Sequence, residues 1–381
     1  MTFPYAYNIR QDNVYYHTLQ TLSTKDTIKN KACPDCPYFA DFARYVDYYG
    51  STEFGNHWIL AAAASGETHF THGNANFHKT PKIGLAEAVM IGILMLNVHL
   101  KIIQGVEQAV VKCNGDCENV LCNEEAIHFL DSSVALYCGS VEGEAGLGEG
   151  VFQYALAQRR AAEFGVDQPG KTTNDRIMAL FQNFQDLLLQ GDCVSIMERK
   201  KEIISLLKVP LVQSVLRFAY LRDNVLVLGV DDLPKAEAFG GTYAAALLPL
   251  VHECHRSDAK VIYENLHIGS ETSSVSFQRV KEALEKNYDC MGISCQDIGG
   301  IWTEEGFAEG AAPCIDGSNS RLPQEANSPS AGVVSLFGIS AITMVLVVVA
   351  YFYAKRFRGR RRRRHHSRAP SGNIAAVSSI S

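Results

Sequence analysis

PKIGLAEAVMIGILMLNVHLKIIQGVEQAVVK, residues 81–112, is the stretch on which the fold turns. Its length invites a membrane reading, since roughly 20 apolar residues cross a bilayer as a helix. Yet its most apolar part carries Glu87, Asn97 and His99. Such side chains are costly in hydrocarbon, whereas a folded interior can offer them partners. The stretch therefore reads as a buried core helix. Pro81 sits at its start, where a missing N–H is tolerated.

Working outward, helical periodicity continues on both sides. Between Tyr38 and Tyr49, the side chains Phe39, Phe42, Tyr45, Val46 and Tyr49 share one face, and Gly50 supplies a stop. Ser51 or Thr52 can cap the next helix, which runs through His57 and Trp58 into Ala61–Ala64. Further helices are expected over roughly 124–138, 150–163, 174–190, 195–220, 232–253 and 276–288. Strand alternation is scarce, so the expected fold is all-α. FQNFQDLLLQGDC, ending at Cys193, is echoed by FQRVKEALEKNYDC, ending at Cys290. A helical head over 38–312, built of related halves 83–193 and 195–290, would explain the echo.

The uncharged run AGVVSLFGISAITMVLVVVAYFYA, residues 331–354, is different in kind. It is long enough to span a bilayer, and Tyr351, Phe352 and Tyr353 stand where an aromatic belt belongs. KRFRGRRRRR follows from Lys355, and flanking positive charge marks the cytoplasmic side. The expected topology is a single-pass plasma-membrane protein with its large N-terminal part outside. Residues 313–330, rich in Ser, Pro, Asn and Gly, read as a stalk, and 355–381 as a cytoplasmic tail. The first twenty residues contain no apolar signal run; either the N-terminal segment 1–37 is truncated, which is the favoured reading, or the apolar run 331–354 is itself the insertion signal.

Charge divides along the same line. The whole chain carries −6, and residues 355–381 hold nine Lys or Arg and no acid, which leaves −15 on the remainder. A head this acidic excludes nucleic acid as a partner. The tail suits anionic inner-leaflet lipid, at roughly 1 kcal/mol per basic residue near the surface. All eleven cysteines precede the apolar run, and in an exported domain they read as disulfides. Cys33-Pro-Asp-Cys36 has no second CxxC at zinc-ribbon distance, so a bridge is favoured there over a metal. The odd count leaves at least one thiol unpaired.

No nucleotide loop, HExxH or GxSxG is present. GEAGLGEG at 143–150 reads as a flexible turn, because the acids around it would repel a phosphate. Tyrosine does recur near carboxylate: Asp47-Tyr48-Tyr49, Asp131 with Tyr137 and Glu142, and Glu237 with Tyr243. Phenolate and carboxylate are hard oxygen donors that suit a trivalent cation such as ferric iron. The bland alternative is a set of core rings with hydrogen-bonded hydroxyls. Arg159, Arg160 and Arg217 offer planar forks for a carboxylate-like anion, or ion pairs within an acidic domain.

Seven segments carry a resemblance. They are DYYGSTEFGNHWILAAAASG (47–66), THGNANF (71–77), VALYCGSVEG (134–143), YALAQRR (154–160), KVPLVQSVLRFAYLRD (208–223), EAFGGTYAAALLPLV (237–251) and KNYDCMGISCQDIGG (286–300). In this order they resemble the low-iron-inducible periplasmic proteins of algae, whose membrane-anchored members are called phytotransferrins. The resemblance implies high-affinity capture of Fe(III) at the cell surface with carbonate as synergistic anion, then endocytosis. The candidate ligands are accordingly Asp47, Tyr48, Tyr49, His57, Asp131, Tyr137, Glu142, Glu237 and Tyr243, with Arg159, Arg160 and Arg217 as candidate anion anchors. Cys138 stands where the family leads one to expect a small hydroxyl residue and is the candidate free thiol. The tail lacks a YxxΦ signal, so uptake would need an endocytic partner. The rival readings are a type I adhesion or signalling receptor without metal, and an ectoenzyme.

Overall fold

A computed structural model describes residues 40–116, 122–139, 151–224, 229, 232–269 and 275–316, with the backbone of 2–4 and 16–18. The stalk beyond Asp316, the apolar run 331–354, the basic tail and Glu142 lie outside the described residues. The chain divides into Met1–Arg321 and Leu322–Ser381, and the described residues all belong to the first unit.

The head is helical. Its elements are α1 (Ala40–Tyr49), α2 (Phe54–Ala63), α3 (Lys82–Val111), α4 (Glu124–Cys138), α5 (Gln153–Glu163) and α6 (Thr173–Leu189). There follow α7 (Ser195–Asp223), α8 (Leu233–Cys254), α9 (Arg256–Leu266), α10 (Phe277–Glu285) and two single turns, Tyr288–Met291 and Cys295–Ile298. Two short antiparallel pairs complete it, Thr2–Pro4 with Tyr16–Thr18 and Trp302–Thr303 with Gly306–Phe307. The expected helices are all present. The unexpected one is α9, which starts after a single extended residue, His255 (φ −156°, ψ 108°).

The core lies where α3, α7 and α8 meet: α8 packs against both α3 and α7, and α3 also against α4. Both α3 and α7 are long and apolar enough to cross a membrane. In the head they are enclosed instead, with Leu96, Ile102, Val106, Leu207, Val212 and Val215 at 1% exposure or less. Two buried polar residues of α3, Asn97 and His99, find partners within the fold. A π-helical segment, Ile93–Val98, interrupts α3 and widens its turn. Asn97 donates to Asn56 Oδ1 (3.1 Å), and His99 Nδ1 lies 2.7 Å from Gln153 Nε2.

Disulfides join Cys113 to Cys193, Cys254 to Cys290 and Cys295 to Cys314. Cys122 is bonded as well. Among the described residues Cys138 is a free thiol, its Sγ 3.9 Å from Met178 Sδ.

Candidate metal centre

The site grows from the spacing of α1. Tyr45, Tyr48 and Tyr49 fall three and four residues apart, so they share one helical face, and none exceeds 5% exposure. Tyr45 and Tyr49 point into α8, where their hydroxyls donate to the carbonyls of Ala246 (2.7 Å) and Ala245 (2.6 Å). Pro249 within α8 explains the second bond. Proline has no N–H, so the carbonyl four residues earlier, Ala245, loses its helical donor. Tyr49 supplies the replacement, and its hydroxyl is committed to the backbone.

Tyr48 is different. Its hydroxyl has no hydrogen-bond partner among the described residues, and its ring forms a triangle with two imidazoles. The ring centroids are 5.5 Å from His72, 5.1 Å from His252, and 5.2 Å between the two histidines. Three separate elements deliver these rings: the end of α1, the loop before α3 and the last turn of α8. Gly73 lets the loop close on Tyr48. It has φ +72°, and a Cβ there would lie 2.7 Å from the Tyr48 ring. Asn74 pins the same loop, exchanging hydrogen bonds with the Phe70 backbone and accepting at its carbonyl from Tyr263 (2.9 Å).

Among the described residues no three His, Cys, Asp or Glu side chains gather as a metal site. The Tyr48 trio is where a phenol completes a pair of imidazoles. The centroid spacings are those of packed aromatic rings, about 4.5–7 Å, and are also compatible with two imidazoles around one ion at metal–nitrogen bonds of about 2.1 Å. His72 is exposed and His252 half-buried, so an ion can enter from solvent. Desolvation, then the neighbouring His72 and Arg256, hold His252 below the usual histidine range and keep it a neutral donor. Burial, then Tyr263, raises the Tyr48 phenol above its usual range, so only a cation strong enough to replace the proton would bind there. Arg256, exposed at the start of α9, has no ion-pair partner among the described residues. Glu253, next to His252, pairs with Arg44.

The other expected ligands lie elsewhere. Asp47 is exposed, turned away from the buried faces of Tyr48 and Tyr49. His57 is exposed, with Glu53 at 3.9 Å. Tyr137 is buried and its hydroxyl donates to Asn174 Oδ1 (2.5 Å). Asp131 is exposed on the same helix, because six residues rotate a helix by about 240° and carry the two side chains apart. Glu237 likewise leaves Tyr243 and accepts from the Gly269 N–H (3.4 Å).

Tyr243 does meet the expected arginines. It is 2% exposed, and burial raises its proton affinity while Arg160 and Arg159 act the other way. Arg160 donates to Ser214 Oγ (2.9 Å), pairs with Glu163 and lies over the Phe218 ring. Arg217 Nε is 3.7 Å from Glu163 Oε1. Arg160 and Arg217 thus share Glu163 as an ion-pair partner.

Sequence reasoning did not single out His72, His252 or Arg256. His72 was visible inside THGNANF, and His252 stands one residue past EAFGGTYAAALLPLV. Neither is close in sequence to Tyr48, and a search for tyrosine beside carboxylate passes over them. Comparison with known proteins gave no matching family model, no matching curated protein and no matching solved structure.

Proposed function

We propose that the chain is a cell-surface ferric-iron binding protein of the phytotransferrin kind, with Tyr48, His72 and His252 as protein ligands. The observation that carries this reading is buried Tyr48, whose hydroxyl has no hydrogen-bond partner among the described residues and whose ring packs with those of His72 and His252. Phenolate is a hard donor for Fe(III), imidazole a common second donor, and carbonate would fill further positions. Arg256 is the cation to anchor that carbonate, in place of Arg159, Arg160 and Arg217. Acidification reverses binding, because protons compete for the phenolate, the imidazoles and the carbonate. Tyr48 leads that release, since its proton affinity is raised while that of His252 is lowered.

The same reading places the head outside the cell, held by the span 331–354 and delivered inward by an endocytic partner. Disulfides through the head suit an exported domain. Two related halves are supported by the bridges. Each of the echoing segments ends in a cysteine, Cys193 or Cys290, bonded to the cysteine just past or at the end of a long helix, Cys113 or Cys254. Those two helices, α3 and α8, both begin at a Pro-Lys pair, and Gly84 of one approaches Pro234 and Ala238 of the other.

Titration of the head with Fe(III) in bicarbonate buffer tests the function. The parent should develop visible tyrosinate absorption and Tyr48→Phe should lose it, while Tyr137→Phe keeps it. Arg256→Ala should make the affinity insensitive to bicarbonate. A parent that binds no iron would leave the metal-free adhesion receptor as the reading.

A further inference from the structure

Large apolar side chains stand exposed at one corner of the head. Trp302 is 49% exposed, Phe307 45% and Ile315 76%. Trp302 and Phe307 face each other across a two-residue-per-strand hairpin, their rings edge to face with centroids 4.9 Å apart. Phe307 and Ile315 line one cleft, so the hairpin and the last described residues share a side of the molecule. The root is firmly held: Ile301 donates to the Ala311 carbonyl (3.0 Å), Gly300 to that of Phe164 (3.2 Å), and Cys295–Cys314 closes the loop. Exposed aromatics on a braced hairpin suit a surface contact better than a loosely packed core edge.

The position in the chain says what covers them. Asp316 is followed by only 14 residues, 317–330, before the apolar run begins. A stretch of that length spans at most ~50 Å. An anchor at 331–354 would thus keep the hairpin within reach of the bilayer surface. Tryptophan and its aromatic neighbours favour the headgroup boundary, where an apolar ring and a polar edge are both accommodated. The charges around the patch are mostly acidic: Glu304, Glu305, Glu309 and Asp316 are exposed, and of the cleft's two cations, Lys171 and Arg176, the second is paired with Asp297. That balance repels an anionic surface and leaves a zwitterionic headgroup, which has no net charge, as the compatible lipid.

We propose that the Trp302–Phe307 hairpin docks on zwitterionic lipid of the outer leaflet, seating the head against the membrane. The proposal rests on the membrane anchor and is independent of iron. The protein has two tryptophans, and the other, Trp58, is 1% exposed. Emission quenching by lipid therefore reports on Trp302 nearly alone. The full chain is placed in phosphatidylcholine nanodiscs whose acyl chains carry bromine near the headgroups. The expected result is loss of most of the Trp302 emission, and absence of that loss in Trp302→Phe. A tryptophan introduced at Leu60, another exposed apolar position at 58%, in the Trp302→Phe background should not be quenched. Unquenched Trp302, or equal quenching at position 60, overturns docking. Protection of Trp302 only in discs holding two copies would assign the patch to a self-interface and overturn it too. A chain that fails to enter discs refutes the anchor and the docking built on it.

Discussion

Tyr48 and Tyr49 are adjacent and both buried, yet only one is available for chemistry. Tyr49 is tied to α8 because Pro249 left a carbonyl without a donor, so its role is structural. Tyr49→Phe should keep the ring packing and leave the Ala245 carbonyl unsatisfied, at a cost of about 1–3 kcal/mol. A melt of the variant beside the parent measures that loss, with ferric affinity unchanged. An unaltered melting point would show that the bond to Ala245 contributes nothing. Tyrosines and carboxylates were legible as residue types, but their sharing of a site was not. A helix separates residues six apart, as with Asp131 and Tyr137, whereas the fold joins positions some 200 residues distant, as with Tyr48 and His252.

Helices were the most legible feature, because apolar periodicity is local and burial follows it. The break at His255 was not, since one extended residue leaves no compositional trace. α3 carries a test of the core reading. Glu107 is 3% exposed, and its Oε2 has no hydrogen-bond partner among the described residues, with Lys200 Nζ 4.0 Å from the other oxygen. Burial, then Asp41, pushes its carboxyl up to about 8, against the opposing Lys200 and Arg44. At neutral pH the folded head therefore keeps a proton that the unfolded chain has released. Stability falls as pH rises from about 4.5 toward 8, by about 1.4 kcal/mol per unit at most. Glu107→Gln should remove that slope, raising the melting temperature at pH 7 and leaving it nearly unchanged at pH 4. Destabilisation at pH 7 would mean that the charged pair with Lys200 is what the core requires.

At the scale of the whole molecule, α3 is enclosed in a helical, disulfide-braced head, and a 24-residue apolar run follows that head in the sequence. The proposed orientation rests on lysine and arginine beside the apolar run and not on packing. Protease added to intact cells should remove the head and spare an epitope in the tail beginning at Lys355. Loss of the tail epitope would invert the topology. The central claim is that a phenol and two imidazoles from three distant elements hold ferric iron. Diffraction from crystals of the iron-loaded head, recorded at the iron absorption edge, locates the ion directly. The account predicts one anomalous peak within bonding distance of Tyr48, His72 and His252. A peak beside Tyr137 or Tyr243 with none at this trio would contradict it.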